Sequence, residues 1–131
     1  MMGIEGFRRI EISLQELGGQ RKQEVCSMKT EYHKLVRDRI PEMIKKQGET
    51  PVLRILEEEE YLEALDRKLE EEIREYQEDK SLEELADVLE VILAICRARG
   101  YSEQELREKY LKKHAERGGF EKRIFLISKE S

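Results

Sequence analysis

The run "EEEIREYQEDKSLEELADVLE", residues 70–90, carries ten carboxylates against Arg74 and Lys80 alone. Carboxylates this dense either hydrate on an outward face or turn inward and hold a hard cation through oxygen. Helical direction separates the two cases, because each residue advances about 100° around the axis. On a helix from Leu82 to about Ala98, Glu83, Glu90 and Arg97 recur every seven residues and mark one narrow polar face. Glu84 is not on it. It shares a stripe with Val88, Val91 and Ile95, and Asp87 falls between that stripe and the polar face. On the preceding helix Glu72 and Glu75 edge the Leu69, Ile73, Tyr76 stripe, whereas Glu70, Arg74 and Glu78 point outward. An ionised carboxylate on a buried side must protonate, pair with a cation or bind a metal.

If the two helices pack antiparallel across a short turn, Glu72 and Glu75 face Glu84 and Asp87. Four like charges brought together repel strongly, and a divalent cation with oxygen ligands compensates them. Mg2+ fits best, because it keeps several waters and shares phosphate oxygens with a substrate. A local alternative stands beside this one. Glu84 follows Ser81 by three residues, the capping-box spacing, so its carboxylate has a use at the helix start. Glu70, Glu71, Glu78 and Glu83 read as ordinary solvated residues.

The elements that must position these groups are legible from pattern. Pro41 suits a first helical position and Gly48 a C-terminal stop, so a short helix spans Pro41 to Gln47. Leu62, Leu65, Leu69, Ile73 and Tyr76, at spacings of three and four, predict a long amphipathic helix that stops near "EDKS". Ser81 caps the next helix, which has apolar residues almost all round and is expected to be the most buried. Gly100 ends it; Ser102 and Glu105 open a last helix that runs to Gly118-Gly119. Residues 1–27 read as an N-terminal extension, and the denser pattern of residues 28–131 as one domain. The expected fold class is all-α, a helical bundle with short extended segments near both ends.

Composition narrows the function classes. The chain has 131 residues, the size of a single domain, and 42% of them are charged, with a net charge of -5. That acidic balance argues against stable nucleic-acid binding. No apolar run reaches the roughly 20 residues of a membrane span, and no secretory signal opens the chain, so the expected location is cytoplasmic. Cys26 and Cys96 lie in unrelated contexts and read as free thiols. His33 and His114 have no partner pattern for a triad or a zinc site. No glycine-rich phosphate loop is present, so phosphate recognition falls to metal and side chains. Residues 109–123 hold six cations against Glu116 and Glu121. Among them Lys113 and Arg117, one turn apart, either grip a polyphosphate or complement the helix C-terminus.

The pair "EEIRE" (71–75) and "ELAD" (84–87) has the form EExxE…ExxD and resembles the metal-binding signature of the MazG-like all-α nucleoside triphosphate pyrophosphohydrolases, a superfamily that includes phosphoribosyl-ATP pyrophosphohydrolase. "YHKLVRDRIPEMI" and "KKHAERGGFEKRIFL" resemble one branch of it, house-cleaning pyrophosphatases of non-standard nucleotides. The resemblance spans about residues 28–126. It implies Mg2+-dependent cleavage between the α- and β-phosphates of a nucleoside triphosphate, with Mn2+ as a substitute ion. It carries the metal ligands onto Glu72, Glu75, Glu84 and Asp87, and gives Glu71 a water-activating or outer-sphere role. It favours Lys34 and Arg37 as residues that close the substrate pocket, against a salt-bridged surface segment. A homodimer or higher homo-oligomer is expected, since so few long helices leave an apolar face to cover. Only eight residues separate Glu75 from Glu84, which leaves open whether the two carboxylate pairs reach the same height. Phosphoribosyl-ATP as substrate and a non-enzymatic helical interaction module are the competing readings.

Overall fold

The all-α expectation holds for residues 29–131, the part of the chain that the computed structural model describes. Among the described residues there are four helices and no strand: α1 (Ile40–Lys46), α2 (Glu58–Asp79), α3 (Leu82–Ala98) and α4 (Glu103–Arg117). The proposed 1–27 extension and Cys26 lie outside the described residues. No helix among these is long and apolar enough to cross a membrane.

Pro41 lies in the first turn of α1, where its missing N–H costs nothing, and Gly48 with φ +86° stops the helix by donating to the Lys45 carbonyl. α2 has 22 residues, about 33 Å, enough to run alongside the whole of the 17-residue α3. Glu58, Glu59 and Glu60 in its first turn suit the positive end of the helix dipole.

The reversal between α2 and α3 takes two residues. Lys80 adopts a left-handed backbone (φ 59°), a strained choice for a residue with a Cβ. Its ammonium lies 5.3 Å from the Tyr76 ring centroid and 3.3 Å from Gln77 Oε1, contacts that hold the turn. Ser81 then caps α3, its hydroxyl accepting from the Glu84 N–H at 3.3 Å. At the other end of α3, Gly100 (φ +90°) turns the chain, and the Tyr101 N–H reaches back to the Cys96 carbonyl at 2.9 Å. Ser102 and Glu105 form the reciprocal capping box that opens α4.

The α2/α3 hairpin carries most of the packing, and α4 touches α3 but neither of the other helices. Leu65 and Val91 are buried in the hairpin, while Leu62, Leu69 and Tyr76 are half-buried and Ile73 is exposed. Cys96, a buried free thiol, donates to the Ser102 carbonyl at 3.4 Å. α3 does contain more buried residues than any other described helix. Its apolar surface is nonetheless only half used. Leu82, Leu85, Leu89 and Ile92 form a second stripe, centred about 120° around the axis from Glu84, and all four are exposed. One neighbouring helix covers one face, and α4 leaves before it can cover the other. Every residue of α4 and of the irregular tail 118–131 is exposed.

Candidate metal centre

Four carboxylates occupy the interior of the hairpin. Glu72, Glu75, Glu84 and Asp87 are between 1 and 6% exposed, and among the described residues they equal in number the buried hydrophobic residues Ile40, Leu65, Val91 and Cys96. A core of that composition is not assembled for its own stability, because burying charge costs far more than the same volume of hydrocarbon. The capping-box alternative accounts for the Glu84 backbone, not for a side chain this deep.

The two helices bring the carboxylates together as antiparallel packing predicts. Oxygens of Glu72, Glu84 and Asp87 lie within 4.8 Å of one another, and so do oxygens of Glu71, Glu72 and Glu75. Glu72 is common to both groups. The tight junction therefore does not separate the pairs: a two-residue turn is short enough to hold the end of α2 level with the start of α3.

Glu71 departs from the solvated reading. It is half-buried, with Oε2 accepting from Lys68 Nζ at 3.0 Å and from Lys34 Nζ at 3.5 Å. Burial alone would raise its pKa, but the two lysines outweigh it and hold the group below the ordinary Glu range. Asp87 shifts the other way. Burial, and then the charge of Glu72, push it up to about 6, with Glu75 adding to the rise and Arg37 opposing it.

Lys34 and Arg37 come from the irregular stretch 29–39, which these side chains pin to the hairpin. Arg37 Nη2 donates to Asp87 Oδ1 at 3.0 Å, and Nη1 lies 3.9 Å from Glu90. Both predicted pocket residues thus stand at the carboxylates. Lys113 and Arg117 do not within one chain: they are exposed on α4, which makes no contact with α2. His33 is exposed beside Glu31, and His114 lies on α4 with its ring 6.1 Å from Tyr110. Lys68 is a site residue that the pattern reading passed over. Its ammonium bridges Glu71 and Glu72, the latter at 3.4 Å. The signal was available, since Lys68 precedes them by three and four residues and so shares their side of the helix.

The donor set suits a hard divalent ion. It is all carboxylate oxygen, without the Cys or His of a zinc site. Glu72 Oε2 is buried with no hydrogen-bond partner, an acceptor position that a cation would satisfy.

The Asp87 shift has a measurable consequence. A carboxyl whose folded pKa exceeds its unfolded value of 3.8 contributes stability that is present below about pH 4 and lost as pH rises through about 6. In EDTA, wild type is therefore expected to lose melting temperature relative to Asp87→Asn between those limits. Added Mg2+ at pH 7 restores wild type, because binding to the folded form adds stability, but not the variant. A melting difference independent of pH would contradict this account.

No known family model matches the chain, and no solved structure matches it. It is similar to an "Uncharacterized protein" of Mycolicibacterium smegmatis, 61% identical over 41 residues, which is 31% of this chain and 42% of that relative. The match thus spans less than half the length of the relative.

Proposed function

We propose that the chain is an Mg2+-dependent pyrophosphohydrolase of the MazG-like kind, acting in the cytoplasm on a non-standard nucleoside triphosphate as a house-cleaning enzyme. The products are the nucleoside monophosphate and pyrophosphate. The observation that carries this reading is the joint burial of Glu72, Glu75, Glu84 and Asp87, with an oxygen of Glu72 left without a hydrogen bond. An interaction module with a solvated acidic face has no reason to bury them.

Glu72, Glu75, Glu84 and Asp87 would hold Mg2+, or Mn2+ in its place, and the bound ion supplies charge neutralisation and a more acidic water. Lys34 and Arg37, already at the rim, neutralise phosphate oxygens as negative charge moves toward the leaving pyrophosphate. Glu71 stays ionised beside Lys68 and Lys34, which keeps an acceptor ready to orient the attacking water, although the same lysines weaken it as a base for the proton it takes. The water oxygen bonds to phosphorus, the bridging P–O bond between the α- and β-phosphates breaks, and the proton passes to the Glu71 carboxylate. A second copy covers the Leu82, Leu85, Leu89, Ile92 stripe, making a homo-oligomer in which Lys113 and Arg117 serve a neighbouring site.

A pyrophosphate-release assay on the full chain tests the reading, using standard and non-standard triphosphates beside phosphoribosyl-ATP. Release from a non-standard triphosphate that stops in EDTA is expected. No turnover of any member, or orthophosphate as the sole inorganic product, would sink it; turnover of phosphoribosyl-ATP alone would move the assignment to that substrate.

A further inference from the structure

Two of the candidate ligands are already engaged by cations of the chain itself. Lys68 Nζ lies 3.4 Å from Glu72 Oε1, and Arg37 Nη2 lies 3.0 Å from Asp87 Oδ1. Both cations are drawn inward: the Lys68 side chain is 13% exposed and that of Arg37 28%. A lysine and an arginine with free choice extend into water, and partly burying them forfeits hydration that only the carboxylates repay. Lys68 arrives from one turn earlier on α2, whereas Arg37 arrives from the irregular stretch 29–39, fifty residues away in sequence from Asp87. Two unrelated parts of the chain thus converge on Glu72 and Asp87, which stand with Glu84 in one group of oxygens within 4.8 Å.

We propose that Arg37 and Lys68 act as resident counter-cations of this group, that a divalent ion enters by displacing them from Asp87 and Glu72, and that the released side chains then bind the polyphosphate. The inference rests on the metal-centre reading and adds an order of events to it. A divalent ion on an inner carboxylate is repelled by the guanidinium or ammonium held on the other oxygen of that group, even at Glu72, where Lys68 occupies Oε1 and leaves Oε2 open. Once displaced, both side chains remain within reach of the site with donors to spare: Arg37 keeps only Glu90, 3.9 Å away, and the three-donor ammonium of Lys68 keeps Glu71 at 3.0 Å. Arg37 offers the planar fork that matches phosphate oxygens, and Lys68 a compact point charge. Metal binding therefore converts two internal ion pairs into an anion-binding rim. Lys34, paired with the outer Glu71, has no such conflict and stays in place.

The alternative role for the two cations is support: each could orient a ligand carboxylate, as residues around metal ligands commonly do, and then its loss weakens metal binding. The two roles differ in sign, which makes Mn2+ alone a sufficient probe. Calorimetric titration of the full chain with Mn2+, without nucleotide, is expected to give roughly tenfold tighter binding in Arg37→Gln and Lys68→Gln than in wild type. Arg37→Lys and Lys68→Arg, which keep the charge, should stay near the wild-type value. With Mn2+ saturating, a non-hydrolysable triphosphate should bind both Gln variants at least about tenfold more weakly, through loss of charge-assisted hydrogen bonds. Circular dichroism of each variant verifies that the helices persist. Unchanged or weaker Mn2+ binding in both Gln variants overturns the exchange while leaving the metal centre intact. Absence of Mn2+ binding by wild type and every variant overturns the metal centre, and the exchange with it.

Discussion

Glu84→Gln is expected to abolish Mg2+-dependent pyrophosphate release while leaving the helices formed. Gln keeps the shape and volume of the side chain but loses its charge and one oxygen acceptor, so packing is preserved and the ligand is not. Glu84 is the most deeply buried of the four acids, and its backbone N–H remains capped by Ser81 in the variant. Loss of an inner carboxylate should reduce activity by more than about a hundredfold, since even residues that only support a ligand are worth 10–100-fold. Stability should move the other way. Without metal the variant puts an amide, which can donate, among the crowded acceptor oxygens of Glu72 and Asp87, so it should melt higher than wild type in EDTA. Mg2+ should then raise the melting temperature of wild type alone. Two measurements with opposite signs separate a ligand from a structural residue. A variant that melts lower in EDTA and still releases pyrophosphate would remove Glu84 from the site.

Much of that site was readable from direction alone. Glu84 shares a helical stripe with Val91, and the structure buries both. Glu72 and Glu75 edge an apolar stripe, and a two-residue turn leaves them no choice but to face the start of α3. Those inferences use only the helical repeat and the length of a loop, which are local properties of the chain. Arg37 was harder, because its place at Asp87 depends on the course of an irregular stretch whose path no periodicity encodes. Lys68 failed for a different reason. A lysine in an acidic helix ordinarily belongs to solvent, and only the prior placement of Glu72 inside makes its partner four residues earlier an inward one. Glu71 was read in two ways, solvated by composition and functional by resemblance. Its half-buried carboxylate between two lysines departs from the first reading and is compatible with the second.

The largest gap between pattern and structure is α3, whose second apolar stripe no other described helix covers. A helix apolar on nearly all sides needs more than one neighbour, and α2 supplies one. Leu82, Leu85, Leu89 and Ile92 together present a stripe that a soluble monomer rarely leaves open. Leu89 is 54% exposed in the single chain, so replacing it costs the monomer little packing. If a second copy covers the stripe as proposed, Leu89→Glu should keep its helical content while raising the dissociation constant of that assembly by more than about a hundredfold, the effect of burying an unpaired charge at an apolar contact. Sedimentation at micromolar concentration should give a monomer for the variant and a larger species for wild type. Equal masses would dismiss the stripe as the interface. Activity then decides a second point, since Lys113 and Arg117 are exposed on an α4 that packs against α3 but not α2. If they serve a neighbouring site, the monomeric variant loses turnover along with its assembly, and Lys113→Gln in the intact oligomer lowers turnover without changing its mass. A monomer with full activity would instead assign those two residues to the C-terminal end of α4, where they do no more than complement its dipole.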